Sequence, residues 1–322
     1  MIKIDLKDRK ILYELDINSR QSLSQIGKKV GLPKNVVAYR INKLKQNGII
    51  KNFYTIVDAY KLGYIAFRLY ITYQYMTPEN EQEMIDYFVK DKLNWWTISA
   101  EGRFDLAVIV WVKNVDHFYR FWEKTLRNFR DFIQDVNFSV YIQIFSYRHS
   151  YLLNNIARDE RTKFEITGGG KPVEIDEMDF RILRIMAPNA RIPLTELAND
   201  LNSTVTKVNY RIKKLQKSGV IQGFRADIDF SKLGYQFFKA DIFLKDYRQR
   251  QNIINYVKTN PALIRIDQSV GVSDLELEFH VKTLQDFHEI MQDIINKYPE
   301  AIKNYKYVYA SKLHKMNYMP NI

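Results

Sequence analysis

Apolar residues recur at helical spacing from the start of the chain, with Ile4, Leu6, Ile11, Leu12 and Leu15 marking a first helix. Leu23, Ile26 and Val30 mark a second, and Ser22 with Gln25 three residues on has the spacing of a capping box at its start. Gly31-Leu32-Pro33 ends that helix, because Gly takes the left-handed position after a helix and Pro cannot continue one. A third helix carries Val37, Ile41 and Leu44 on one face, and Asn47-Gly48 closes it. Ile49-Ile50 and residues 53–56 then alternate like a short β-wing. Helix, short helix, tight turn, helix and wing is the plan of a winged helix-turn-helix, whose third helix enters the major groove of DNA.

From residue 66 onward the pattern changes to strand, helix, strand, turn, strand, helix, strand. The segments are 66–75, 78–90, 95–99, 106–112, 115–126 and 134–147. This β-α-β-β-α-β order predicts a ferredoxin-like sheet with helices on one face, leaving its other face for a second copy. Gly102 and Asp105 lie in the turn between the two central strands. Such a turn either lines an effector pocket or is an ordinary tight hairpin, and on these residues alone the hairpin is the commoner use.

The whole arrangement occurs twice. Residues 8–64 overlie 179–235 without a gap, so that Tyr39-Arg40-Ile41 meets Tyr210-Arg211-Ile212 and Lys61-Leu62-Gly63-Tyr64 meets Lys232-Leu233-Gly234-Tyr235. Asn18 and Arg20 meet Asn189 and Arg191 in the same register. The α/β part repeats more loosely over 238–314, with Gly102 and Asp105 meeting Gly271 and Asp274. Thr167-Gly168-Gly169-Gly170-Lys171-Pro172 reads as a flexible linker between copies. The predicted class is therefore α+β, with modules at 1–63, 64–155, 174–234 and 235–322 and a linker at 156–173.

Charge adds a functional direction. The net charge of +12 divides as +7 over residues 8–64 and +5 over residues 179–235, leaving the rest of the chain neutral. A basic surface confined to the two helix-turn-helix modules suits a polyanion such as double-stranded DNA. Three-helix wing modules also serve as protein-interaction or dimerisation modules, and that reading stays open at this point. The candidate DNA contacts are Lys34, Asn35, Tyr39, Arg40 and Lys43 in copy one, and Thr206, Lys207, Asn209, Tyr210, Arg211 and Lys214 in copy two. These are the side-chain types that reach phosphates and base edges. Arg40 and Arg211 adjoin the apolar Ile41 and Ile212, which points them to phosphate rather than a base.

Other chemistry is scarce. With no cysteine there is no disulfide, zinc–thiolate site or cysteine nucleophile, which fits a reducing cytoplasm. No run approaches a membrane span, and the first residues carry no secretory pattern. The sequence has no GxxxxGK[ST], HExxH or GxSxG motif and no metal-spaced carboxylate set, so no cofactor, no metal and no catalytic residue is expected. His117, His149, His280, His288 and His314 form no close cluster in sequence. Trp95-Trp96, Trp111, Phe118-Tyr119 and Phe121-Trp122 either line an effector pocket or fill a core or interface, and their spacing favours packing.

These residues carry a resemblance. Asp8-Arg9-Lys10-Ile11-Leu12, residues 24–32 and 37–41, Leu44, Gly48-Ile49-Ile50, Asp58 and Leu62-Gly63, followed by Gly102, Asp105 and Leu106, resemble the leucine-responsive/asparagine regulator (Lrp/AsnC) family in each copy. The resemblance implies a DNA-binding transcriptional regulator and dimers formed through the sheets of the second domain. It also implies assembly into larger oligomers and a small-molecule effector, often an amino acid, at the turn holding Gly102, Asp105, Gly271 and Asp274. Fusion of two copies departs from the family pattern and predicts an intrachain pseudo-dimer beside or in place of a homo-oligomer. The third helices are unlike, Lys34-Asn35-Val36 against Val205-Thr206-Lys207, so two unlike half-sites are expected. Asn202-Ser203-Thr204 replaces Gly31-Leu32-Pro33, and Asn tolerates the left-handed turn. Siroheme decarboxylases are similar to this family in fold and form the alternative reading, although the stretch 95–105 lacks a histidine.

Overall fold

The structure is a computed structural model that describes residues 2–153 and 156–320. The expected boundary at 155/156 therefore touches residues outside the described ones. In copy one, α1 (Leu6–Ile17) is capped by Asp5, and α2 (Leu23–Val30) by the expected Ser22–Gln25 box. α3 (Lys34–Gln46) follows after Gly31, whose backbone is left-handed. β1 (Ile50–Val57) completes the module.

The α/β part of copy one comprises β2 (Ile65–Tyr73), α4 (Pro78–Lys90), β3 (Asn94–Gly102), β4 (Leu106–Val112), α5 (Val115–Phe129) and β5 (Ile133–Tyr147). A short helix α6 (Arg158–Arg161) and strand β6 (Phe164–Thr167) precede copy two. Copy two has α7 (Glu177–Met186), α8 (Leu194–Asp200), α9 (Val205–Lys217) and β7 (Ile221–Ile228). Its α/β part has β8 (Gln236–Leu244), α10 (Arg250–Val257), β9 (Leu263–Val270), β10 (Leu275–Val281), α11 (Leu284–Lys297) and β11 (Ile302–Met316).

Three features go beyond the expectation. Each predicted wing strand pairs with the other copy's. β1 runs antiparallel to β7, with Phe53 opposite Ala226, so the two form a shared ribbon. The predicted free linker is also partly built in. β6 pairs with β5, the Gly168 N–H donates to Asp58 Oδ1 at 3.1 Å, and the Val173 N–H donates to the Lys61 carbonyl at 2.7 Å. Finally, the two sheets do not simply lie face on face. They join edge to edge, β3 to β11 and β9 to β5, and β5 returns to β2. Eight strands thus close a barrel, so the outer strands of both sheets are paired with each other, and β6 adds a further strand along β5.

Helices cover the outside of the barrel over two separate cores. Leu69, Val108 and Phe88 belong to that of copy one, and Ala240, Leu277 and Phe287 to that of copy two. The interior is of mixed polarity. Copy one contributes Arg68, Tyr70, Ser139 and Tyr141, while copy two contributes Lys239, Asp241, Asp267, Glu276 and Glu278, all buried. Arg68 is paired with Glu276 and lies 3.4 Å from Asp267, and Lys239 is paired with both Asp241 and Glu276. Buried charges of this kind persist only when paired and hydrogen-bonded. Here Arg68 of copy one pairs with carboxylates of copy two, while Lys239 pairs within copy two.

Candidate nucleic-acid interface

The two helix-turn-helix modules form a single body. One buried core contains Ile11, Leu15, Val37 and Leu44 of copy one together with Ile182, Leu183, Val208 and Leu215 of copy two. The Ser19 N–H donates to the Phe224 carbonyl at 2.8 Å, and the Ala190 N–H to the Phe53 carbonyl at 2.7 Å. Arg20 and Arg191 make reciprocal bonds, the first to the Ala190 carbonyl and the second to the carbonyls of Ser19 and Gln21. These are the arginines that the repeat aligns, so the duplication builds a pseudo-two-fold contact from equivalent residues.

On this body α3 and α9 bury one stripe each, Val37, Ile41 and Leu44 on one and Val208, Ile212 and Leu215 on the other. Opposite those stripes Lys34, Asn35, Tyr39 and Lys43 are exposed on α3, and Thr206, Lys207, Tyr210 and Lys214 on α9. Asn209 is half-buried. Tyr39 and Tyr210 stand 66% and 68% exposed at equivalent positions, so the duplication presents the same aromatic side chain on both third helices. Asn202 has φ 48°, so it holds the turn that Gly31 holds in copy one, and Thr204 caps α9 by accepting from the Lys207 N–H.

Arg40 and Arg211 differ from the rest of the set. Arg40 donates to Asp5 at 2.7 Å and Asp8 at 2.8 Å, and Arg211 donates to Asp176 at 2.6 Å and Asp179 at 2.9 Å. Their guanidinium groups tie each third helix to the start of its first helix. The hydrogen bonds from Arg211 hold Asp176 below the usual carboxylate range.

The four turn residues also have local partners. Asp105 accepts from the Tyr73 N–H at 2.7 Å, and Asp274 from the Leu244 N–H at 2.8 Å. Gly102 (φ 109°) and Gly271 (φ 133°) sit where an added Cβ would collide with the carbonyl oxygens of Tyr307 and Phe138 respectively. Each turn is thus seated against the last strand of the other copy, at the barrel seams.

Sequence reasoning missed one cluster because its members are far apart in the chain. Asp16 of α1 accepts from the His149 N–H at 2.8 Å and from Arg225 of β7 at 2.6 and 2.9 Å, and contacts His149 Nδ1 at 2.6 Å. The His149 ring lies 5.5 Å from that of His280, whose Nδ1 is 2.5 Å from the Tyr151 hydroxyl. These two histidines are thus neighbours in space although not in sequence. Burial raises the Asp16 carboxyl, but Arg225 and His149 outweigh it and hold it well below the ordinary range. Burial pushes His149 down against the pull of Asp16, and pushes His280 well down with help from His149. Both rings are therefore neutral near pH 7. Among the described residues no group of three His, Cys, Asp or Glu is arranged to hold a metal ion, and no helix is long and apolar enough to cross a membrane.

Comparison with known proteins bears on this arrangement. A family model described as winged helix-turn-helix DNA-binding matches residues 4–51 and again 175–222. The regulatory protein AsnC of Haemophilus influenzae is 26% identical over 118 residues, which are 36% of this chain and 79% of that protein. An HTH-type transcriptional regulator of Pyrococcus abyssi is 33% identical over 136 residues, 41% of this chain and 89% of the relative. Among solved structures the siroheme decarboxylase NirDL superposes with a TM-score of 0.66 at 14% identity, covering 98% of this chain and 94% of that one. At that identity the likeness is one of fold, and it extends to the duplicated arrangement end to end.

Proposed function

The chain belongs to the Lrp/AsnC family, with two copies in one polypeptide, and from that premise we propose that it is a sequence-specific transcriptional regulator that reads two unlike half-sites at once. The observation that carries this reading is the single body built from both helix-turn-helix modules. It presents α3 and α9 with exposed Lys, Asn, Thr and Tyr side chains and with the chain's whole net positive charge in the two modules. Lys34, Asn35, Tyr39 and Lys43 face one half-site, and Thr206, Lys207, Asn209, Tyr210 and Lys214 the other. Arg40 and Arg211 are positioning residues that set the pitch of the reading helices. A small-molecule effector, an amino acid among the candidates, adjusts the affinity. The test is a salt titration on a pool of genomic fragments followed by sequencing of those retained. Affinity that falls steeply with log salt, together with an asymmetric bipartite motif, supports the reading. Unselective or absent binding at low salt overturns it.

A second reading, a siroheme-decarboxylase-like enzyme of heme biosynthesis, is favoured by one observation. The structure brings together His149, His280, Tyr151 and Arg225, where the sequence offered no candidate acid–base pair. Addition of a tetrapyrrole separates the two. An absorbance shift with release of carbon dioxide makes the chain an enzyme, and an unchanged spectrum removes that reading.

A further inference from the structure

The two copies fill one end of the barrel unequally. Beside copy one, a cavity of about 70 Å³ lies between β1 and the strands of the barrel, with Ala59, Tyr60, Trp95, Trp111 and Arg265 in its wall. Met316, Asn317 and Tyr318, at the end of β11 and just beyond it, form one side of it. The same segment borders an adjoining cleft of about 500 Å³ that also meets Phe180, Arg184 and Lys92. Beside copy two the positions equivalent to the small cavity are packed, although a separate cleft of about 430 Å³ lies over Tyr151, Pro261 and His280. In the register of the duplication Ala59 becomes Phe230, Ala66 becomes Phe237 and Trp111 becomes His280. Phe230 and Phe237 lie 4.6 and 6.0 Å from the His280 ring, and Phe230 lies 4.3 Å from His149. A methyl group at Ala59 in place of the benzyl group of Phe230 leaves the small cavity beside copy one open.

The walls select the chemistry of an occupant. Tyr318, stacked on Tyr54 at 4.7 Å, and Phe180 give the cleft an aromatic side. Lys92 and Arg184 are exposed at the cleft, and among the described residues neither forms an ion pair. We propose that this cleft is the effector site and that it takes one small planar aromatic anion per chain, the ring beside Tyr318 and Phe180 and the carboxylate toward Arg184 and Lys92. Mouths of β-barrels are common ligand sites, and a guanidinium suits a carboxylate. The regulatory consequence rests on the regulator reading, whereas binding itself does not.

The segment after β11 couples the site to the DNA-reading body. The Asn317 N–H donates to the Trp95 carbonyl at 2.8 Å, the Tyr318 hydroxyl donates to Asp227 of β7 at 2.6 Å, and its ring lies on Tyr54 of β1. A ring entering beside Tyr318 competes for the Tyr54 face and acts on both ribbon strands, which follow α3 and α9 directly in the chain.

Calorimetric titration of the full chain with 2-naphthoate, with neutral 2-naphthamide as control, tests the site, and DNA affinity is measured with and without naphthoate. The expected result is one saturable site that prefers the carboxylate and changes DNA affinity. Tyr318→Leu, which removes the ring lining the cleft, weakens naphthoate by about tenfold or more. Arg184→Glu, a surface change checked by thermal melting, weakens naphthoate and leaves naphthamide unaltered. Two equivalents per chain, equal affinity for acid and amide, indifference to both substitutions, or DNA affinity unmoved at saturation overturns the proposal. Selective DNA binding without naphthoate binding removes this site alone. Naphthoate binding without selective DNA binding removes the regulator reading and with it the effector role.

Discussion

Arg40 and Lys34 lie on the same helix, and their surroundings assign them different work. Lys34 is exposed, while Arg40 is fixed between Asp5 and Asp8. Lys34→Ala and Asn35→Ala are expected to weaken specific DNA binding by about 1–3 kcal/mol for each base edge that is no longer read, with no change in melting temperature. Arg40→Ala is expected to lower the melting temperature, by up to about 1 kcal/mol of stability for a partly exposed pair, and to weaken DNA binding only through the tilt of α3. Fluorescence anisotropy alongside thermal melting distinguishes the two patterns. At the seam, Gly102→Ala and Gly271→Ala each place a methyl against a carbonyl of the other copy in a conformation suited to glycine. Each is expected to cost about 1–3 kcal/mol in denaturant melts. An unchanged midpoint for either would contradict the close seating of the turns at the seam.

At the scale of elements, the pairings between strands and modules carry the charge chemistry. Arg68 of β2 faces Glu276 of β10 and Asp267 of β9 inside the barrel. Arg68→Ala leaves Glu276 with Lys239 as its one remaining cation among the described residues, and breaking such a buried pair is expected to cost up to about 3–5 kcal/mol in chemical denaturation. His149 and His280 join α1, β7 and β10. Folding lowers both rings below their ordinary value of 6.5, so the unfolded chain binds protons that the folded chain refuses. Their contribution is therefore fully present above about pH 6.5 and is lost as pH falls below it. Asp16 is also lowered, from an ordinary 3.8, and its contribution disappears in a second, more acidic window. Stability measured from pH 7.5 to 5 is expected to decline, and His280→Phe is expected to flatten that decline. A flat profile for the unaltered chain would contradict the burial of the two neutral rings.

For the whole molecule, the shared core fixes the distance and orientation between α3 and α9. Inserting about five base pairs between the half-sites, half a helical turn, moves one of them to the opposite face of the duplex. Affinity is then expected to fall to that of one module alone, by about a hundredfold or more on the scale of about 1.4 kcal/mol per decade. Independent modules on a flexible tether would lose far less, and an electrophoretic series over spacer lengths discriminates. Closing the barrel within one chain also removes the sheet edges through which single-copy chains would associate. Arg68 of β2 finds its charge partners on β9 and β10 of the other copy, which ties the two sheets together inside the barrel.

Local order settled much of this plan in advance. The Ser22–Gln25 box, Asn202 in place of Gly31, the apolar stripes of α2, α3 and α9 and the β-α-β-β-α-β order are short-range features, and periodicity and capping determine them residue by residue. The duplication likewise required only alignment of the chain on itself. Tertiary structure decided the rest. The pairing of β1 with β7, the edge-to-edge closure of the barrel, the inward turn of Arg40 and Arg211 and the meeting of His149 with His280 join residues 32 to more than 170 positions apart. Strand alternation says which face is apolar but not which edge finds a partner, and a charged side chain on a helix looks the same whether water, phosphate or a neighbouring carboxylate awaits it. The small cavity beside Ala59 is the clearest case. An alanine and a phenylalanine are equally acceptable to the local pattern, and only packing against the rest of the molecule turns that difference into an open cavity.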